Sequence, residues 1–324
     1  MIFITDYIED TSIERKIFFP FKLFKWSDKK IPFDEIQVLL VWHQKIDRNF
    51  LKKFPSLKGI VRYGVGYDNI DIKTCNKMNI IFCNNPDYGV DEVSETALSM
   101  ILNLVRGVSY YNELTKYLII KNSLNWQENT NKNLRRSKSL SLGIIGIGRI
   151  GISLALKSKH IFDKIGFYDP YVPRGIEKSL NLFRYNNMEE ILNLSDIISL
   201  HVPLSNETQN IVDSNFIKMM KDNSILINTA RGGLISDFEL IIKNLENNKL
   251  FGVGLDVLNS EPPDHKTTNL LSNWLRNKGN FANRLIINPH TSYYSNESYY
   301  EMRVKASENA LRIINNIKPY NIIS

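Results

Sequence analysis

One stretch limits what this 324-residue chain can fold into more than any other: Leu142 to Pro170, LGIIGIGRIGISLALKSKHIFDKIGFYDP. Its opening run, Leu142 to Ile147, is short, apolar and rich in Ile, as a buried strand would be. Gly146, Gly148 and Gly151 follow with G-x-G-x-x-G spacing, and a helical pattern continues through Leu154, Ala155 and Leu156. The glycines allow a tight turn, close approach of backbone to a pyrophosphate, and close packing of helix on strand. The helix would turn its free N–H groups and positive dipole end toward that pyrophosphate. A second apolar run, Ile165 to Tyr168, ends in Asp169, where a carboxylate can hold a ribose 2′-hydroxyl. A lone glycine motif is weak, but here strand, glycines, helix, second strand and acid come in the required order. The stretch reads as a dinucleotide site.

The length allows two domains, each with its own core, and the 43% hydrophobic and 23% charged content is that of a folded globular chain. The net charge of +7 is spread over scattered lysines, with small clusters only at 134–138 and 51–53. Neither a basic stripe with exposed aromatics nor a known module is evident, so the charge reads as a solvated surface and no nucleic-acid partner is expected. Cys75 and Cys83 have neither metal-ligand spacing nor a disulfide framework, which suits a reducing compartment and predicts no metal site. The N-terminal MIFIT lacks the charged start and long apolar core of a signal peptide. No run approaches the roughly 20 apolar residues of a membrane span, so the expectation is a cytoplasmic protein with no membrane partner.

Strand-like runs at Ile2–Thr5, Val38–Trp42, Gly59–Tyr63 and Ile80–Cys83 alternate with helical patterns at Asp47–Phe54 and Asp71–Met78. A long amphipathic helix over Val90–Arg106 is placed to carry the chain from one domain to the next. A polar connection over 122–141 follows, in which Trp126 is expected to pack. Beyond the glycine-rich stretch, strands are predicted at Asp196–His201, Ser224–Thr229, Phe251–Val257 and Leu285–Pro289. Helices are predicted at Met188–Leu194, Asp213–Met220 and Ser236–Leu245. A polar insert, Pro262–Asn283, contains the helix-compatible NLLSNWLRN. The last helix is predicted over Glu297–Ile317, with Ala306, Ala310, Leu311 and Ile314 on its buried side. Such alternation implies an α/β fold class with two doubly wound parallel sheets.

Three polar residues fall at strand ends: Arg231 after SILINT, Glu261 after GVGLDV and His290 after LIINP. In open parallel sheets, ligands bind beyond the carboxyl ends of strands. Singly, each residue would read as a surface ion pair or a satisfied histidine. Together, beside Gly232 and Gly233, they point to one site combining a fixed positive charge, a carboxylate and an imidazole.

The segments RYGVGYDNIDI (62–72), GIIGIGRIG (143–151), YDPYV (168–172), HVPL (201–204), INTARGGLI (227–235), GVGLDV…EPP (252–263) and NPH (288–290) resemble the D-isomer-specific 2-hydroxyacid dehydrogenases. The resemblance runs in order along nearly the whole chain. RYGVGYDNID and PHTSYYSNES look nearest the C-terminal-binding-protein and phosphoglycerate-dehydrogenase-like branch.

That resemblance implies a Rossmann NAD-binding domain over 104–291, inserted in a flavodoxin-like substrate domain made of 1–103 and 292–324. It implies that Arg231 clamps the substrate carboxylate and carbonyl, that His290 is the general acid/base, and that Glu261 is its partner. An Arg fork stays charged, and a carboxylate beside His favours the imidazolium that protonates the oxygen as hydride arrives. For the cofactor, NAD, it implies contacts from Gly146, Gly148, Arg149, Ile150, Gly151, Asp169, His201, Pro203, Thr208, Thr229, Ala230 and Asp256. Tyr63, Gly64, Val65, Gly66 and Tyr293 join Arg231 as implied substrate contacts, with Asn69 and Asp71 bracing the turn. The implied partners are a small 2-keto or 2-hydroxy acid and a second copy, as a homodimer through the nucleotide-binding domain. The regulatory extension of longer phosphoglycerate dehydrogenases is not expected. An NAD(H)-sensing interaction protein of the C-terminal-binding-protein type is the alternative, but the intact trio favours an enzyme.

Overall fold

Each pairing between named strands is parallel in the computed structural model, which describes residues 1–263, 268–276 and 283–324. The first sheet contains β1 (Ile2–Ile4), β2 (Leu23–Lys25), β3 (Val38–Val41), β4 (Gly59–Arg62) and β5 (Ile81–Cys83). Its order is β2-β1-β3-β4-β5, the flavodoxin-like winding. The second contains β6 (Ser141–Ile145), β7 (Lys164–Tyr168), β8 (Phe183–Arg184), β9 (Ile197–Leu200), β10 (Ser224–Asn228), β11 (Leu250–Leu255) and β12 (Leu285–Ile287). Its order, β12-β11-β10-β9-β6-β7-β8, is the Rossmann winding extended by one strand. Every residue of β3, β6, β9, β10 and β11 is buried. Central strands covered on both faces therefore appear in the sequence as continuous apolar runs rather than alternating ones.

The chain divides into two compact units, Met1–Gly89 with Tyr294–Ser324, and Val90–Tyr293. The crossings thus fall at 89/90 and 293/294, against expected crossings at 103/104 and 291/292. The helix Val90–Arg106 accounts for the first difference. Its Ala97, Met100, Ile101, Leu104 and Val105 share a core with Leu142, Ile144, Ile225 and Phe251. Gly254 makes room for it, since a Cβ there would lie 2.9 Å from the Met100 sulfur.

The short edge strands β2 and β8 and the helices Ser12–Phe18, Val108–Ile120 and Ile176–Leu180 were not anticipated. The strands and the two shorter helices carry too few residues for a clear period, and Val108–Ile120, though 13 residues long, buries only Leu118 and so presents no apolar stripe. Trp126 is 52% exposed, contrary to the expectation that it packs. The last helix runs Asn296–Ile314, opened by a Ser295–Ser298 capping box, and it buries Ile313 where Leu311 was expected. The insert contains a helix over Thr268–Arg276, while its residues 264–267 and 277–282, Asn277 of NLLSNWLRN included, lie outside the described residues. Among the described residues, no helix is long and apolar enough to cross a membrane.

Candidate active site

In the second unit, β6 lies between β9 and β7, so the chain winds away in both directions from its carboxyl end. That switch point is where a doubly wound sheet opens a crevice. Gly146 has φ +92°, and a Cβ on it would lie 2.6 Å from the His201 carbonyl oxygen. A Cβ on Gly151 would lie 2.2 Å from the Gly146 carbonyl oxygen. Gly148, the N-cap of the helix Arg149–Ser158, has nothing within 4 Å of a Cβ position. Two glycines are therefore required by close packing, and the third leaves backbone bare at a helix N-terminus, the form a pyrophosphate needs. Arg149 and Ile150 form the first turn of that helix.

Around this cradle, Asp169 accepts hydrogen bonds from Ile147 N (3.0 Å) and Tyr171 N (2.9 Å), so its carboxylate is held beside the glycine turn. Thr229, just past β10, has a buried hydroxyl with no hydrogen-bond partner among the described residues. A bound ligand would satisfy it. The residues thus fit a dinucleotide. Burial pushes the His201 imidazole down to about 4, so it is neutral near pH 7, and its Nε2 is 2.8 Å from the Ser199 hydroxyl. The Thr208 hydroxyl donates to the Pro203 carbonyl, which ties that loop to itself.

Arg231, Glu261 and His290 converge at the same carboxyl edge, in the half of the sheet formed by β10, β11 and β12. The register aligns Asn228 of β10 with Leu255 of β11, and Leu255 with Ile287 of β12. The three connections therefore leave side by side. Buried Asn228 shapes the first one: its amide donates to Arg231 O (2.8 Å) and its oxygen accepts from Ala230 N (3.0 Å). Gly232 must be glycine, because a Cβ would lie 2.1 Å from the Leu258 carbonyl. Leu258 N–H in turn donates to Glu261 Oε1 (2.9 Å), and Glu261 Oε2 lies 2.5 Å from His290 Nδ1. Burial opposes ionisation of Glu261, but the His290 hydrogen bond and the charges of His290 and Arg231 prevail and lower its pKa. Arg231 also donates to Ala230 O (2.7 Å).

Asp256 lies behind this pair. It is fully buried and its carboxylate accepts from Thr291 N (3.0 Å) and Ser292 N (3.1 Å), while His290 N donates to its carbonyl (2.8 Å). These bonds hold His290 in the left-handed region, φ +56°. Burial raises the Asp256 carboxyl despite those donors. Its visible task is to fix the turn that carries His290. Asn228 and this bracing role of Asp256 escaped sequence reasoning. A polar Asn at the last position of a buried strand, just before a glycine turn, was the available signal for the first.

The Tyr63–Gly66 turn and its surroundings belong to the first unit. Tyr63 is fully buried and its hydroxyl donates to Glu14 (3.2 Å), which also pairs with Arg303. Its side chain therefore belongs to the core, and only its backbone reaches the turn. Asn69 donates to Trp42 O and Gln44 O rather than to the turn, and Asp71 caps the helix Ile72–Lys77. Tyr293, half-buried, is the last residue of the second unit. Among the described residues, no group of three or more His, Cys, Asp or Glu is placed to hold a metal ion.

The family pattern described as "D-isomer specific 2-hydroxyacid dehydrogenase, NAD binding domain" matches residues 98–292. Glyoxylate reductase of Thermococcus litoralis is 30% identical, over 100% of this chain and 96% of that protein. C-terminal-binding protein 1 of Caenorhabditis elegans is 31% identical over 89% of this chain, which spans 39% of that protein's length. Among solved structures, D-lactate dehydrogenase from Aquifex aeolicus, complexed with NAD and lactic acid, matches with a TM-score of 0.79 at 27% identity, covering 100% of this chain and 99% of that one.

Proposed function

This chain belongs to the D-isomer specific 2-hydroxyacid dehydrogenase family, and from that premise we propose that it interconverts a small 2-keto acid and its D-2-hydroxy acid with NAD(H). The observation that carries the reading is the 2.5 Å contact between His290 Nδ1 and Glu261, with the charge of Arg231 acting on the same carboxylate. Bound NADH would supply the hydride. Gly146, Gly148, Gly151, the first turn of the helix Arg149–Ser158, Asp169 and Thr229 would hold it. Because Nδ1 faces Glu261, Nε2 is the atom of His290 that gives a proton to the substrate oxygen in reduction and takes it back in oxidation. Arg231 holds the substrate carboxylate and polarises the carbonyl.

The likeness to a glyoxylate reductase and to a D-lactate dehydrogenase supports a small substrate of the glyoxylate or lactate type, and a hydroxypyruvate or phosphoglycerate-type substrate belongs to the same reading. A panel of glyoxylate, hydroxypyruvate, phosphohydroxypyruvate, pyruvate and larger 2-keto acids with NADH tests it. The likeness to C-terminal-binding protein 1 favours a second reading, an NAD(H)-sensing interaction protein. NADH binding without turnover of any 2-keto acid would select it. The same proposal includes a cytoplasmic homodimer joined through the nucleotide-binding unit. Exposed Val108, Ile119, Ile120 and Leu124 in that unit support the dimer, and light scattering in solution checks it.

A further inference from the structure

We propose that Asn84, with Asn85 beside it, is a positioning residue for the substrate carboxylate, turning the peptide planes of the 64–66 turn so that the Val65 and Gly66 N–H groups face an anion. The inference rests on the function proposed above and names two side chains that set up its substrate contact.

β4 and β5 are neighbours with Val61 opposite Cys83, so Asn84 and Asn85 leave the sheet alongside residues 62–65. Their donors meet four consecutive carbonyls. The Asn85 side-chain amide lies 3.3 Å from Arg62 O and 3.1 Å from Tyr63 O, and Asn85 N donates to Gly64 O (3.4 Å). The Asn84 side-chain amide donates to Val65 O at 2.7 Å. Only the NH₂ end of an amide can meet a carbonyl, so the chemistry of the contact sets which way each side chain is turned.

A trans peptide unit is planar, with its C=O and the following N–H pointing in opposite directions. Holding Gly64 O therefore aims Val65 N–H away from the two asparagines, and holding Val65 O does the same for Gly66 N–H. Among the described residues, neither N–H forms a hydrogen bond. The asparagines are buried (5% and 1% exposed) while Val65 is 44% exposed, so carbonyls lie on the protein side and N–H groups on the open side. Adjacent outward N–H groups form an anion-binding concavity. A purely structural tie would need no such division. Asn85 also bonds Met302 O (3.3 Å) and so has a structural load of its own, which leaves Asn84 as the residue to vary.

The test compares kcat/KM for a 2-keto acid with that for the corresponding neutral 2-keto amide, using NADH. In Asn84→Ala, KM for the acid is expected to rise about tenfold and the acid-to-amide ratio to fall by the same factor, with the NADH Kd unchanged. Asn84→Asp keeps the size but puts an acceptor against Val65 O, and it should show the same loss. It carries the test should the alanine variant fail to fold. An equal fall for acid and amide, or an unchanged ratio, overturns the assignment while leaving the proposed function standing. Wild-type protein that reduces neither compound overturns both.

Discussion

His290 Nδ1 lies 2.5 Å from Glu261 Oε2, and the backbone N–H of His290 is held at the same time by the carbonyl of Asp256 (2.8 Å). The imidazole is thus oriented from its ring and from its backbone, by two residues on one β11 connection. An acid/base group so constrained keeps its second ring nitrogen directed at one place.

Replacing His290 with Ala is expected to lower kcat for 2-keto acid reduction by about 10²–10⁴-fold while NADH still binds, because only the proton donor is lost. Steady-state kinetics with a fluorescence titration of NADH checks both halves. Near-normal kcat would remove His290 from the mechanism.

Glu261→Gln addresses the pair rather than the histidine. Glu261 has a lowered pKa, with burial opposing and the His290 hydrogen bond prevailing, so it is ionised at neutral pH. Gln removes that charge, the imidazolium loses its stabilising partner, and reduction should decline at lower pH than in the wild type. The optimum of the reductive pH–rate profile therefore moves down. An identical profile in the variant would show that the carboxylate does not serve the reaction.

Asp169 is expected to set cofactor choice. Its carboxylate is held by Ile147 N and Tyr171 N at the end of β7, where a 2′-phosphate would meet like charge. A preference for NADH over NADPH of about a hundredfold or more in kcat/KM follows, equivalent to roughly 2.7 kcal/mol. Asp169→Ser should narrow the gap, chiefly by weakening NADH use. Equal use of both cofactors by the wild type would show that Asp169 does not meet the ribose.

Asp6 offers a stability test in the first unit. Its carboxylate accepts from Trp42 N (2.7 Å), His43 N (2.6 Å), Gln44 N (3.0 Å) and the Thr5 hydroxyl (2.7 Å). Burial alone would raise its pKa, but the hydrogen bonds from His43, Thr5 and the backbone outweigh it and hold the group at about 2. Since this lies below the ordinary 3.8, ionised Asp6 adds stability above that value and loses it as pH falls through about 2. Asp6→Asn should cost about 2 kcal/mol at neutral pH and flatten stability between about pH 4 and 2. Urea unfolding at several pH values measures this, and parallel curves for variant and wild type would count against it.

The dinucleotide cradle was legible in the chain because its parts are consecutive: a buried strand, three spaced glycines, a helix and an acid at the next strand end. Arg231, Glu261 and His290 were legible only as polar residues following apolar runs. Their meeting depends on the register that sets Asn228, Leu255 and Ile287 abreast, over nearly 60 residues of chain from Asn228 to Ile287. The sequence by itself thus determined the fold class, the cofactor cradle and the residue types available for chemistry, all of which follow from short-range pattern and spacing. The tertiary structure alone decided which connections lie side by side, that the helix Val90–Arg106 packs with the second unit, and that Tyr63 turns inward to Glu14. It also decided that Asn84 and Asn85 hold the carbonyls of a turn about 20 residues earlier. These outcomes depend on packing and on satisfying buried polar groups between distant segments, and no local propensity encodes them.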